Sequence, residues 1–362
     1  MTELDNARKI INETDSEIAK LFEKRMDAVR TVAKYKKEHG IPVEDLMREA
    51  EVIKRNSNLI KDDDYRSYYV NFLQYNMELS KNFQHRLLDG MRVAYSGVEG
   101  AFANIVANRV FPDATAVGYP DFSAAYEAVV TGKCDCALLP IENSFNGDVN
   151  KVIDLAFFGS LYINGVYEAE IVQNLLAVKG TSISDIKTVI SHPQALGQCA
   201  AYIEKHGFST VEAVNTAVAA KQVAQSGRHD IAAIASEEAG EKFSLVKLDG
   251  HINQNSNNTT RFAVFSRIQR KAAVSDNHFI MMFTVKNAAG SLGRAVSVIG
   301  EYGFNLRALK SRPTKELKWD YYFYAEGEGN LSADNGKQML RELKKCCNNV
   351  KVLGQFEKEI KI

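Results

Sequence analysis

From residue 5 to residue 88 the chain carries one proline, Pro42, and its apolar residues recur at helical spacing: Ile11, Ile18, Leu21, Phe22, Met26, Val29 and Val32. Such a segment reads as helix only. The first helix is predicted to run unbroken to His39-Gly40, where glycine supplies a C-terminal stop, and Pro42 opens the next helix. At ~1.5 Å per residue it would be ~50 Å long. The two shorter helices that follow cannot cover a stripe of that length, so it is expected to pair with a second copy of itself.

From Met91 the periodicity changes. Short apolar runs at 93–95, 137–139, 188–190 and 231–234 alternate with helical stretches, which is the pattern of an α/β fold. After Arg270-Lys271 it changes again, to strand (279–285), helix (291–301), strands (305–311 and 321–327), helix (333–346) and strand (350–356). That βαββαβ order fits a small α+β, ferredoxin-like module. The joints fall at Asp89-Gly90 and in the polar stretch 270–277, giving domains at 1–90, 91–270 and 275–362.

Charge narrows the partners. Lys+Arg and Asp+Glu both number 45, so no global field would attract nucleic acid or an anionic membrane surface. An anionic ligand must instead be met by local groups. No apolar run approaches the ~20 residues of a membrane span, and the first residues lack the basic and apolar regions of a signal peptide. The five cysteines show neither zinc-site spacing nor a paired framework, and they read as reduced thiols of a cytoplasmic protein. Neither a metal site nor a nucleotide loop is apparent, so no cofactor is expected.

In the helical segment Arg25 and Lys36 lie eleven residues apart, within ~20° of one another on a helix, with Val29 and Val32 on the same face between them. Two cations on an apolar stripe are costly to bury unless something anionic meets them. Arg8 sits roughly 100° around from Arg25 and should serve a different pocket, that of the partner chain. Asp45, Arg48 and Glu49 share one face of the second helix, and Ser80 and Gln84 one face of the third. Any one of these would also suit a solvated charged helix.

The whole set resembles the all-helical class of chorismate mutase across residues 1–88: Arg8 with Asp15, Arg25, Lys36, Asp45-x-x-Arg48-Glu49, Ser80 and Gln84. The resemblance implies a unimolecular rearrangement of chorismate to prephenate, catalysed by holding a reactive conformer and stabilising charge on the ether oxygen. Arg8 of the partner and Arg25 would clamp the two carboxylates, aided by Ser80. Lys36 and Gln84 would donate to the ether oxygen, while Glu49 and Asp45 would position the ring hydroxyl and nearby cations.

In the α/β segment three polar loops follow strands: Pro140-Ile141-Glu142-Asn143-Ser144, Ser191-His192-Pro193-Gln194 and the run through Thr260-Arg261-Phe262. Loops at strand ends, far apart in sequence, suggest one cleft at the edge of a sheet. The Gly97-x-x-Gly100 turn adds backbone amides at a helix start. On residue chemistry alone, His192 fits a locally bonded helix start better than a base, and Arg261 fits a structural ion pair as well as a carboxylate clamp.

With Gly147, Gln198-Cys199 and Thr216-Ala217-x-Ala219-Ala220, these segments resemble prephenate dehydratase over residues 92–268. The resemblance implies two α/β lobes around a cleft, like a type II periplasmic binding protein, meeting near 166–172 and 248–253. It also implies loss of water and carbon dioxide from prephenate to give phenylpyruvate. Thr260 would be the essential hydroxyl near the departing oxygen, and Asn143, Ser144, Ser191, Gln198, Thr216, Arg261 and Phe262 would line the cleft and fix the carboxylates. Alanine at 101 and 103, where many members have serine, is a mild departure.

Gly290-Ser291-Leu292 and Lys310-Ser311-Arg312-Pro313, with the βαββαβ order, resemble an ACT domain of the phenylalanine-sensing kind. Gly290, Ser291, Leu292, Ser311 and Arg312 would then meet an amino-acid effector, phenylalanine first, and the module would add a subunit contact to the dimer made by the helices. A purely structural dimerisation module fits the same pattern. Lys310 stands where the family usually has glutamate, a reversal of charge beside the expected effector site. The chain as a whole reads as a bifunctional chorismate mutase/prephenate dehydratase of phenylalanine biosynthesis. A regulator that only binds a small acid would share the bilobed fold; an intact Thr260 and a complete helical set argue against it.

Overall fold

The computed structural model describes residues 2–145, 147–254, 258–314 and 321–362, and divides into two compact units, one up to Arg92 and one from Val93. In the first, α1 (Glu3–His39) runs for 37 residues. A capping box starts it: Thr2 Oγ1 accepts from Asp5 N–H at 3.2 Å while Asp5 accepts from Thr2 N–H at 2.9 Å. Gly40 ends it in the left-handed conformation, φ 65°, as the glycine stop requires. Then come α2 (Leu46–Ser57), capped by Asp45, and α3 (Asp63–Asp89). The face of α1 turned inward carries Arg25, Val29, Ala33 and Lys36; Ala33 is buried, whereas Val32, expected on that face, is 45 % exposed. Leu4, Ile10, Ile11, Ile18 and Leu21 remain 45 to 65 % exposed, so one chain leaves most of the apolar stripe uncovered.

The second unit begins β1 (Arg92–Ser96), α4 (Phe102–Val110), β2 (Thr115–Tyr119), α5 (Phe122–Val130), β3 (Cys136–Asn143), β4 (Gly147–Asp148), α6 (Asn150–Phe158) and β5 (Tyr162–Glu170). The chain then crosses to a second lobe of β6 (Asn174–Ala177), β7 (Thr188–Ser191), α7 (Pro193–Gln198), α8 (Ala200–His206), β8 (Ser209–Glu212), α9 (Thr216–Ser226), β9 (Ile231–Ala235), α10 (Glu237–Lys242) and β10 (Val246–Asp249). It returns through β11 (Thr259–Ser266), which inserts antiparallel between β3 and β5. The second sheet has the order β10-β6-β9-β7-β8. The two crossings are tied to each other: Gln173 N–H donates to Asn253 at 3.0 Å, Asn253 to the Ile171 carbonyl at 2.8 Å, and Ile171 N–H to the Asn258 carbonyl at 2.7 Å. They lie close to the stretches expected from sequence.

The last segment forms β12 (His278–Thr284), α11 (Ser291–Glu301), β13 (Asn305–Pro313), β14 (Tyr321–Glu328), α12 (Asp334–Cys346), β15 (Asn349–Phe356) and β16 (Ile360–Lys361). Its antiparallel sheet has the order β13-β14-β12-β15, with both helices on one face. β12 is apolar at nearly every position because both its faces are covered. Phe279, Met281 and Phe283 pack under the helices, while Ile280 and Met282, with Tyr322, Tyr324, Leu353 and Phe356, join the first lobe's core of Leu139, Ile153, Ile163 and Phe265. The joint expected at 270–277 is thus a change of topology without a gap in packing: Arg270 pairs with the buried Asp276, and β16 adds to the first lobe's sheet beside β5.

Closeness of this docking depends on Gly354, where an added Cβ would collide with the Ile163 backbone carbonyl. Backbone cannot move aside as a side chain can. Gly354→Ala is therefore expected to destabilise the second unit by about 1–3 kcal/mol, the range for overpacking. Thermal unfolding checks this, and an unchanged melting temperature would refute it.

Candidate active sites

In the helical unit one cation faces neutral partners. Arg25 is half-buried and donates to the Ser80 hydroxyl and to the Asn76 carbonyl at 3.4 Å. Among the described residues no carboxylate pairs with it, and burial lowers its pKa from the ordinary guanidinium value. A half-buried guanidinium without a counter-ion is poised for an anion. Ser80 and Gln84, one turn apart, are the buried residues of α3, and Gln84 Oε1 is buried with no hydrogen-bond partner among the described residues. Lys36, half-buried, donates to the Val43 carbonyl at 2.7 Å.

Other expected members of this site are engaged differently. Asp45 caps α2 by accepting from Arg48 N–H at 2.9 Å, and the Arg48 side chain pairs with Glu51 on the surface at 3.2 Å. Glu49 pairs with Lys81 at 3.2 Å, so Lys81, adjacent to Ser80, is a residue that sequence reasoning passed over. Arg8 lies exposed on α1 near Asp5 and Asn12, and the 17 residues to Arg25 span ~26 Å of helix. One chain cannot bring those two arginines to one small ligand.

Between the lobes of the second unit lies a cavity of about 480 Å³. Thr260, Asn143, Phe262, Gln198 and Thr216 line it, drawn from four elements, β3, α7, α9 and β11. Asn143, Thr260 and Phe262 lie within strands, where the sequence suggested loops. Asn143 Nδ2 donates to Thr260 Oγ1 at 2.9 Å, and also lies 3.0 Å from Asn258 Oδ1 and 3.1 Å from the Thr259 carbonyl. Because the Thr260 oxygen accepts that bond, its own proton is left to donate elsewhere. Thr260 is 8 % exposed, so this donor is held in a largely dry wall.

The cavity's charge is unexpected. Among the described residues lining it there is no lysine or arginine, and one acid, Asp148. What faces it instead is helix starts. Phe102 and Ala103 open α4, His192 and Gln194 stand at the start of α7, and Asn215 and Thr216 begin α9. Helix starts carry the positive end of the helix dipole, which favours carboxylates without a side-chain cation. Part of the donor set is already used: Pro193 has no N–H, and Val218 N–H donates to Asn215 at 2.8 Å. His192 accepts from Gln194 N–H at 3.2 Å, the local bond its residue type suggested.

Three residues expected in this cleft lie outside it. Arg261 points to the opposite face of β11 and pairs with Glu142 at 2.6 Å and Glu326 at 2.7 Å. The reason is strand alternation: Thr260 and Phe262 share one face, and the residue between them takes the other. Ser191 is fully buried and donates to the Ile234 carbonyl at 2.6 Å, tying β7 to β9. Ser144 is exposed, its hydroxyl accepting from Thr259 N–H at 3.0 Å. Sequence reasoning also missed Gln173, Asn215 and Asp148. Gln173 had a signal, a polar pair Gln173-Asn174 interrupting an apolar run, and its buried Oε1 has no partner among the described residues.

In the C-terminal module Gly290, φ 81°, starts α11 with Ser291 and Leu292 half-buried behind it. Ser311 is exposed on β13, but Arg312, expected beside it at an effector site, points the other way. It donates to Asp154 at 2.9 Å and to Tyr322 at 3.0 Å, against the first lobe. Again the period of two separates neighbours. All five cysteines are free. No helix among the described residues is long and apolar enough to cross a membrane.

A two-lobed α/β clamp of the type II periplasmic-binding kind, with an aligned hydroxyl in a cleft ringed by helix starts, defines an enzyme acting on a small organic acid. The chorismate mutase type II family matches residues 7–85, and the prephenate dehydratase family matches residues 93–270. The bifunctional chorismate mutase/prephenate dehydratase of Escherichia coli (strain K12) is 30 % identical over 370 residues, covering 97 % of this chain and 95 % of that protein. Arogenate dehydratase/prephenate dehydratase 2 of Arabidopsis thaliana is 34 % identical over 278 residues, 74 % of this chain and 72 % of that one. The solved prephenate dehydratase from Arthrobacter aurescens, in complex with L-Phe, superimposes with a TM-score of 0.68 at 25 % identity, covering 74 % of this chain and 90 % of its own. The chain belongs to the family of bifunctional chorismate mutase/prephenate dehydratases.

Proposed function

We propose that the helical unit converts chorismate to prephenate and that the two-lobed cleft converts prephenate to phenylpyruvate, with phenylalanine as feedback inhibitor. In the helical unit Arg25 and Ser80 bind one carboxylate and Arg8 of a second copy binds the other. Lys36 and Gln84 stabilise the ether oxygen as its bond breaks. The exposed stripe of α1 supports a homodimer, which would bring Arg8 to its partner's pocket.

In the cleft, helix starts hold the two carboxylates of prephenate and the Thr260 proton meets the departing hydroxyl. The observation that carries this reading is the bond from Asn143 to Thr260, which turns the hydroxyl into a donor facing a cavity ringed by helix N-termini. As the C–O bond breaks, the hydroxyl takes its electron pair and, with the donated proton, leaves as water. The ring's C–C bond to the carboxylate breaks to release carbon dioxide, and its electron pair completes the aromatic ring. Prephenate is favoured over arogenate because the helical unit of the same chain would supply it.

The βαββαβ module is read as an ACT domain. The turn at Gly290, Ser291 and Leu292, with Ser311, is the effector surface; Arg312 is engaged with Asp154 and is not counted in it. The L-Phe complex of the Arthrobacter aurescens enzyme supports phenylalanine as the effector. The free cysteines support a cytoplasmic setting. Purified protein given chorismate should consume it and form phenylpyruvate, read by absorbance in alkali, and added L-Phe should slow the second step. Accumulation of prephenate without phenylpyruvate would refute the cleft assignment.

A further inference from the structure

Behind the cleft wall formed by β3, β4 and β11 six charged side chains meet, with Asp148 at the cleft's own edge. Arg261 reaches Glu142 at 2.6 Å, Glu326 at 2.7 Å and Glu359 at 2.5 Å; Lys310 reaches Glu142 at 3.0 Å and Asp148 at 2.5 Å. Arg307 joins Glu359 from the rim at 3.4 Å. Burial works against charge at Glu142, but Arg261 and Lys310 outweigh it and hold that carboxyl below its ordinary pKa. Glu142 therefore contributes stability above the ordinary carboxylate range, lost only as pH falls through its lower folded value.

Half of this cluster belongs to the cleft wall and half to the C-terminal module. The pairings are Thr260 with Asn143 and Arg261 with Glu142 across β11 and β3, then Glu142 with Asp148 and Asn143 with Gly147 across β3 and β4. Glu142 and Arg261 are thus each one residue from a group on the cleft, Asn143 and Thr260, while Asp148 itself stands at the cleft edge beside Gly147. The module's hold continues along α6, whose first flanking residue, Val149, also lines the cleft. Arg312 and Tyr322 bond to Asp154, and Lys351 donates to the Ala156 carbonyl at 2.7 Å near the far end of that helix.

We propose that Lys310 is a positioning residue for dehydration: its ion pairs with Asp148 and Glu142 hold the β3–β4 turn, and through it Asn143 and the Thr260 hydroxyl, in the reactive arrangement. This deepens the reading of the cleft given above and rests on it. Charge balance singles out Lys310. Four carboxylates meet two inner cations, so the cluster already carries an excess of negative charge. Without Lys310, the part-buried Asp148 loses its cation, and the favourable response is for β4 to swing toward water. Arg261 is less informative, since its loss would take the cation from Glu326 and one of two from Glu142 and Glu359, and so loosen the whole docking.

Lys310→Met keeps the aliphatic stem and removes the charge. The kcat for phenylpyruvate formation from prephenate is expected to fall about ten- to a hundredfold, the cost of a small misplacement of reacting groups, with KM within about threefold. Chorismate consumption by the same chain should be unchanged, and Lys310→Arg should recover most of the loss. Asp148→Asn breaks the same pair from the other side, so the double variant should lose little more than either alone. Lys351→Met removes a contact of the same docking far from the cleft; it should lower the melting temperature and leave kcat near the parent's. With the parent forming phenylpyruvate, which secures the functional reading, a Lys310→Met enzyme as fast as the parent would overturn the proposal. So would an equal loss of kcat in Lys351→Met.

Discussion

Thr260→Ala is expected to lower phenylpyruvate formation by about 10²–10⁴-fold, the contribution of a positioned proton donor, while chorismate is consumed at the parent's rate. The expectation follows from which atom donates. Asn143 already gives a proton to Thr260 Oγ1 at 2.9 Å, so the threonine proton is directed away from that bond. Alanine removes the donor and leaves Asn143 with Asn258 Oδ1 and the Thr259 carbonyl, so the fold should lose only about 1 kcal/mol. Thr260→Ser keeps the hydroxyl but loses the β-branch that fixes its rotamer, and should retain a substantial part of the rate. Loss of both activities in Thr260→Ala would mean that the residue supports the fold, and the cleft would need another donor.

A mixture of Arg8→Ala and Lys36→Ala chains is expected to recover about a quarter of the parent's chorismate-consuming activity, although each variant alone has almost none. Arg8 and Arg25 are separated by ~26 Å along one helix, too far to grip one cyclohexadiene. Two antiparallel copies would supply each pocket with Arg8 from one chain and Arg25 and Lys36 from the other. Random exchange makes about half the dimers hybrid, and each hybrid keeps one complete pocket of two, which gives the quarter. Both positions suit the test, because Arg8 is exposed and Lys36 makes its one described hydrogen bond to a backbone carbonyl. If chains shown to exchange recover nothing, the pocket lies within a single chain.

Much of the architecture was readable because each element declares itself locally. The glycine stop at Gly40, the strand-loop-helix units and the βαββαβ order of the last segment all follow from short-range rules, and they match the observed elements to within a few residues. What failed was local too, and instructive. Thr260-Arg261 and Ser311-Arg312 were each assigned to one site, yet neighbours on a strand face opposite ways. The period of two could have separated them from sequence alone. By contrast, nothing in the chain's composition announces that the cleft would show no lysine or arginine among its described lining residues. That follows from where helices begin in space.

Residue order by itself determined the long helix, the alternation of strands and helices, and which polar side chains stand at strand ends, because these depend on spacing over a few residues. Tertiary structure decided which of those side chains share a cavity, that the C-terminal sheet docks on the first lobe through a buried charge cluster, and that Arg25 has no counter-ion among the described residues. Such features arise from contacts between residues more than fifty positions apart, where only the packing of whole elements fixes the distance.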